Sequence, residues 1–231
     1  MDYHAIVEID RQVLGLFNGA HNMFLDTLMV TLTSGVTWVP LYIALLYLVV
    51  KNKETVTQVI LVVVCCALCI AITAVVTEVL VKPAVARPRP GSDPEWMYMV
   101  HVVNERRGNA YSFFSAHAAN TCGIAVFFAW AVRSKVFTWL MIGWSLVNCY
   151  TRLYLAMHYP SDILVGLVFG SLVGSLVYLL YWLAGRQESS GQHFVSSQYT
   201  STGYAITDID IVAFVLVATG ILAVLVSLVM H

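Results

Sequence analysis

Lys82, Arg89, Ser115, His117, Arg152, His158 and Asp162 stand out in a chain that otherwise avoids polar chemistry, and each lies at the edge of an apolar stretch. Arginine presents a planar fork that matches phosphate oxygens, and lysine a point charge. A helix start adds free backbone N–H groups and the positive end of the helix dipole. Two apolar stretches begin among these residues, one at Ser115 and one just after Asp162. The set favours a bound tetrahedral oxyanion; a carboxylate ligand would need fewer cations. The histidines extend this from binding to reaction. A neutral imidazole attacks phosphorus when one ring nitrogen is free and the other is held. Asp162 follows His158 by four residues, about one helical turn, so its carboxylate can accept a hydrogen bond from the ring, the orienting logic of a catalytic triad. His117 can then hand a proton to the leaving oxygen, while the cations stabilise charge on the equatorial oxygens. No carboxylate cluster suited to Mg²⁺ accompanies the set, so neither a metal nor another cofactor is expected.

The elements that position these residues are membrane helices. Of 231 residues, 59% are hydrophobic and 11% charged, against about 25% charged in soluble domains. The net charge of −1 removes any case for nucleic acid. Six stretches are apolar enough to approach or cross roughly 30 Å of hydrocarbon: 23–50, 55–81, 115–132, 136–150, 163–184 and 211–230. The first reads as an interfacial helix followed by a short span. Residues 3–18 carry Ile6, Ile9, Val13, Leu16 and Phe17 at amphipathic spacing and are expected to lie flat on the surface. The predicted fold is therefore all-α: a polytopic transmembrane bundle of about six spans with an N-terminal interfacial helix, forming a single domain over 1–231. Residues 185–210, rich in Ser, Gln, Thr and Gly, read as a flexible connector before the final span at 211–230.

Topology constrains the chemistry. The polar groups at 82–117 and at 151–162 are separated by two spans, so they emerge on one face. Gly166, Gly170 and Gly174 share a helix face and predict close packing within the bundle. The cysteines Cys65, Cys66, Cys69, Cys122 and Cys149 all lie in apolar runs and read as packing residues. Glu78, one turn before Lys82, is expected to form a structural ion pair with Lys82 or another basic group at the site. Arg87 reads as an interfacial arginine meeting lipid headgroups, and Arg106 and Arg107 as solvated. His21, Asn22 and Asp26 read as caps and anchors of the N-terminal segments. Trp96 to Met99 read as an interfacial patch.

Three segments together are specific. "KPAVARPRP" places Lys82 six residues before Arg89–Pro90, "FSAH" spans Phe114–His117, and "TRLYLAMHYPSD" places Arg152, His158 and Asp162. In order and spacing they resemble the three-part signature of the type 2 phosphatidic acid phosphatase (PAP2) family, over residues 75–170. Phe114, Ala116 and Thr151 stand where the family pattern has proline, glycine and serine. The resemblance implies that His158 is the nucleophile, Asp162 its partner and His117 the general acid. It implies that Lys82, Arg89, Ser115, Ala116 and Arg152 form the phosphate-binding set, and that the reaction passes through a phosphohistidine.

The implied substrate is a lipid phosphate taken from the bilayer, of the undecaprenyl diphosphate, phosphatidylglycerol phosphate, phosphatidic acid or lipid A type. A small soluble phosphate ester is the second reading, and an anion transporter the reading from another class. A transporter would carry its charges near mid-membrane in broken helices, whereas these lie at span ends. The catalytic face carries Arg11, Lys82, Arg87, Arg89, Arg106, Arg107 and Arg152, and the other face Lys51, Lys53, Arg133, Lys135 and Arg186. The raw positive-inside count would make the catalytic face cytoplasmic. The resemblance implies a bacterial inner-membrane protein with the site outside the cytoplasm, and that reading is adopted. Nothing in the sequence sets the oligomeric state.

Overall fold

A computed structural model of the chain describes residues 3–105, 107–108, 111–185 and 197–230, and among these the regular elements are helices. The elements are α1 (Tyr3–Asn18), α2 (Met23–Thr33), α3 (Val39–Asn52), α4 (Val56–Ala74), the single turn α5 (Lys82–Val85), α6 (Ala116–Val132), α7 (Lys135–Tyr154), α8 (Pro160–Gly185) and α9 (Ile206–Val229). A 3₁₀ turn, Gly35–Trp38, joins α2 to α3, and a π-helical turn, Val75–Val81, joins α4 to α5. Four of these segments are long and apolar enough to cross a membrane: Gly35–Asn52, Val56–Val85, Pro160–Gly185 and Ile206–Val229. The all-helical polytopic bundle expected from the sequence is thus present.

The side chains sort as lipid demands. On α8, Val168, Leu172, Leu176, Leu179 and Leu183 form an exposed stripe, while Gly166, Gly170, Val173, Gly174 and Val177 are buried. The buried glycines let α8 run beside α6 in parallel. A Cβ added at Gly170 would stand 2.4 Å from the carbonyl oxygen of Ala119, and one at Gly174 2.4 Å from that of Gly123. These glycines do pack within the bundle. Because α6 and α8 both leave the same end, α7 must return between them, and its last turn brings Arg152 back to that end. Helix α6 is short, but it lies against α4, α7 and α8, so the bundle covers it. Trp38 at the α2–α3 bend packs edge-on against Trp144 of α7, with ring centroids 6.0 Å apart.

The far end is closed by α3 and α9. Asn52 donates to Asp208 at 2.9 Å and accepts from the Ala205 amide at 2.7 Å. Residues 186–196 of the expected connector lie outside the described residues. The part that follows, 197–205, forms turns with a Tyr199–Ala205 bridge, and Thr202 donates to the Val132 carbonyl at 2.9 Å. Helix α9 then starts at Ile206, earlier than the apolar stretch, because Ile206 to Asp210 form its polar first turns.

Helix α1 does more than lie on a surface. Leu14 is fully buried in a cluster with Ala118, Cys149, Leu153, Tyr159 and Ile163. Asn18 donates to the His101 carbonyl at 2.9 Å and accepts from the His101 amide at 2.7 Å. The helix is therefore clamped to α7, α8 and the 86–115 loop, over the end where the candidate residues gather.

Candidate active site

His158 sits in the tight link 155–159 between α7 and α8, with Ala156 at φ 50° helping the chain reverse. Its side chain is 3% exposed, and Nδ1 stands 3.6 Å from Oδ2 of the fully buried Asp162. That is a close polar contact, longer than a hydrogen bond. Asp162 occupies the first turn of α8, where Pro160 suits a helix start. Its Oδ2 accepts from the Tyr159 amide at 2.9 Å. Burial holds the His158 imidazole down to about 4, below its ordinary range, reinforced by the charges of Arg152 and Arg89 and opposed by Asp162. The ring is therefore neutral at pH 7, the form a nucleophile requires.

Ser115 caps α6. Its hydroxyl accepts from the Ala118 amide at 3.3 Å, and its own amide donates to the Asp162 carbonyl at 3.1 Å. The hydroxyl expected among the phosphate ligands is thus engaged as a cap. The first-turn amides of Ala116 and His117 have no acceptor within the helix and are the donors this end can offer an anion. Ala116 takes ordinary helical dihedrals, so the alanine does not disturb the turn. The His117 ring lies against the Thr33 main-chain carbonyl and feels the charge of Arg152.

The cations converge from three segments. Arg152, in the last turn of α7, donates from Nη1 to the Thr33 hydroxyl at 2.9 Å, and its buried Nε has no hydrogen-bond partner. Arg89 and Arg152 repel each other electrostatically, the arrangement of an anion site. Arg89 donates to the Met157 carbonyl at 3.0 Å, beside His158, and burial lowers its pKa. Buried Lys82 pairs with Glu78 as the spacing predicted, and Glu78 also acts on Arg89. The lysine therefore reaches the site already paired with a carboxylate. Among the described residues no three His, Cys, Asp or Glu side chains converge to hold a metal.

Sequence reasoning misplaced Arg87. It is not at the headgroups: its guanidinium is buried, with Nη1 2.9 Å from Asp162 Oδ1 and Nη2 2.7 Å from Asp10 Oδ2. Burial opposes its charge, but Asp162 and Asp10 more than offset this and raise its pKa. Sequence reasoning also missed Asp10, Asp93, Tyr159 and Thr33. Tyr159 donates to Asp93 at 2.7 Å, and Arg11 donates to Asp93 at 3.1 Å. Burial works against the Asp93 charge, yet these bonds hold its carboxyl below the usual range. Asp26 anchors as expected, accepting from Tyr154 at 2.7 Å and lying 3.1 Å from His101 Nε2. Arg107 is exposed and donates to the Gly91 carbonyl at 3.0 Å; Arg106 lies outside the described residues. In the 96–99 patch, Tyr98 and Met99 are exposed, while Arg11 covers the Trp96 ring.

A bundle whose helix ends and connecting loops carry two histidines, an aspartate and three cations toward one face matches a known family. The PAP2 superfamily model matches residues 61–186, and the chain belongs to that superfamily, in its membrane lipid phosphatase branch. Among its relatives is the lipid A 4'-phosphatase of Bacteroides thetaiotaomicron, 37% identical over 189 residues, which cover 79% of this chain and 81% of that protein. The lipid A 4'-phosphatase of Porphyromonas gingivalis is 32% identical over 186 residues, 80% of this chain and 77% of that one. The crystal structure of Aquifex aeolicus LpxE superposes with a TM-score of 0.54 over 72% of this chain and 92% of that chain; at 19% identity this likeness speaks to the fold.

Proposed function

We propose that this membrane phosphatase removes the 4'-phosphate of a lipid A-type glycolipid through a phosphohistidine on His158. The substrate class is supported by the two lipid A 4'-phosphatase relatives, each matched over most of its length. The mechanism is carried by one observation: the buried His158 ring has the Asp162 carboxylate 3.6 Å from Nδ1, with Arg89 bonded to the adjacent Met157 carbonyl. Nδ1 faces Asp162, so Nε2 is the nitrogen available to phosphorus. Lys82, Arg89, Arg152 and the first-turn amides of α6 at Ala116 and His117 grip the phosphate oxygens, with Ser115 holding that turn in place. Nε2 forms a bond to phosphorus as the bond to the sugar oxygen breaks, and His117 delivers a proton to that oxygen. Water then attacks the phosphohistidine, giving up its proton to His117, and releases inorganic phosphate and the free imidazole. The site faces the extracytoplasmic side of a bacterial inner membrane, where an outward-bound glycolipid would meet it.

The test is phosphate release by the purified full-length protein in detergent with EDTA present. The panel is lipid A, phosphatidic acid, phosphatidylglycerol phosphate, undecaprenyl diphosphate and glucose 6-phosphate. Lipid A should be turned over fastest, and tandem mass spectrometry of the product should show loss at the 4' position. Preference for another lipid would overturn the substrate, and dependence on Mg²⁺ would overturn the mechanism.

A further inference from the structure

Arg87 lies within the first of the three segments but is none of the residues assigned a role there, yet its side chain is densely bonded near His158. It joins two carboxylates more buried than itself, with side-chain exposures of 6% for Asp10 and none for Asp162. Its Nη1 also donates to the Ser161 hydroxyl at 2.8 Å, and its plane lies over the Tyr159 ring, 4.0 Å from the centroid. Asp10 returns to the same turn: it accepts from the Ser161 amide at 2.9 Å and from the Ser161 hydroxyl. Three separate parts of the chain meet here: α1 through Asp10, the loop after α5 through Arg87, and the first turn of α8 through Ser161 and Asp162.

The consequence is geometric. A buried carboxylate must be paired and hydrogen-bonded or it is strongly destabilising. Arg87 satisfies Oδ1 of Asp162, and the Tyr159 amide satisfies one lone pair of Oδ2. With both oxygens engaged the carboxylate cannot rotate, and the remaining face of Oδ2 is aimed at Nδ1 of His158. We infer that Arg87, gripped by Asp10 of α1, is the positioning residue for the His158–Asp162 pair, so that α1 is part of the catalytic apparatus as well as a surface helix. This rests on the reading of His158 as nucleophile. Arg87 reaches the reacting atoms only through Asp162. The role calls for arginine: two separate Nη atoms serve two carboxylates while the planar face stacks on a ring, which a lysine ammonium cannot do.

The groups facing His158 are Asp162, Arg152 and Arg89, with Arg87 behind Asp162; the neighbouring Tyr159 hydroxyl is engaged by Asp93, itself held by Arg11. Neutralising Arg87 leaves Asp162 free to attract an imidazolium more strongly, so His158 would take up its proton at higher pH.

The test uses the full-length protein in detergent with lipid A in mixed micelles, or with whichever panel lipid it turns over fastest. Arg87→Gln should lower kcat about 10–100-fold, the scale seen when a partner orienting a working side chain is lost, with KM unchanged. The acid limb of kcat/KM should move to higher pH. Asp10→Asn, nearly isosteric, should lower kcat by a smaller factor, and Arg87→Lys should not restore wild-type turnover. Wild-type kcat and pH profile in Arg87→Gln, or a loss confined to KM, would overturn the role. If Arg87→Gln fails to fold, unchanged kcat in Asp10→Asn overturns it. His158→Ala separates the two readings: if it is inactive while Arg87→Gln is normal, only the positioning role falls, and if it is active, both fall.

Discussion

Nδ1 of His158 and Oδ2 of Asp162 face each other at 3.6 Å, too far for a hydrogen bond and near enough to form one once the imidazole gains charge. The carboxylate is kept at that position by Arg87 and the Tyr159 amide. In the proposed mechanism its task is to hold the proton on Nδ1, leaving Nε2 free to attack.

Asp162→Asn tests that task. An amide can present its NH₂ to Nδ1 and favour the tautomer with the proton on the attacking nitrogen. A mis-set tautomer costs about 10⁴-fold in kcat in a serine protease, and a loss of about 10³–10⁴-fold is expected here. Steady-state assays with lipid A measure it; turnover within a few-fold of wild type would show that Asp162 does not set the tautomer.

His117→Ala should depend on the leaving group. General acid catalysis contributes about 10²–10⁴-fold when a poor leaving group must be protonated. The loss should approach that range for lipid A, whose leaving group is an alcohol, and be much smaller for p-nitrophenyl phosphate. Comparing the two substrates checks this, and equal losses would argue against an acid role.

The pH dependence follows from the burial of His158, whose pKa lies at about 4 rather than in the ordinary histidine range. The nucleophile works as the neutral ring, so with p-nitrophenyl phosphate, whose leaving group does not need the His117 proton, the acid limb of kcat/KM due to His158 should set in only below about pH 5. Stability moves in a defined direction. Below about 6.5 the unfolded chain protonates this histidine while the folded protein resists, so stability falls as pH drops from about 6.5 toward 4. Thermal unfolding in detergent at pH 7 and pH 5 should show the decline, and it should shrink in His158→Asn.

Gly170→Leu should separate α6 from α8. Even a Cβ at this position meets the Ala119 carbonyl oxygen at 2.4 Å, and overpacking of this kind costs about 1–3 kcal/mol or more. Because α6 carries His117 and α8 carries Asp162, kcat should fall together with the unfolding temperature. Unchanged values of both would mean that the helices do not need this approach.

Much of this was legible because charge in oil is rare. Lys82, Arg152, His158 and Asp162 stand out against apolar neighbours, and the i, i+4 pairs Glu78–Lys82 and His158–Asp162 follow from helical spacing alone. The glycine stripe on α8 likewise announces a packing face. Arg87 did not announce itself: a cation in a proline-rich loop has no periodic partner, and its carboxylates lie 77 and 75 residues away. Asp10 sat in a pattern that read as surface-bound, because amphipathic spacing shows that a helix has an apolar face but not what covers the polar one. Thr33, which joins Arg152 to His117, is an ordinary threonine at a helix end, and only tertiary packing gives it that place. The π turn at 75–81 leaves no mark in residue type.

The most direct measurement is the identity of the phosphorylated residue. Single-turnover reaction with lipid A carrying a radiolabelled 4'-phosphate, quenched in alkali to preserve phosphoramidates, should leave the label on Nε2 of His158. No label should appear in His158→Ala. Label on any other residue, or phosphate release by His158→Ala at the wild-type rate, would exclude His158 as the nucleophile.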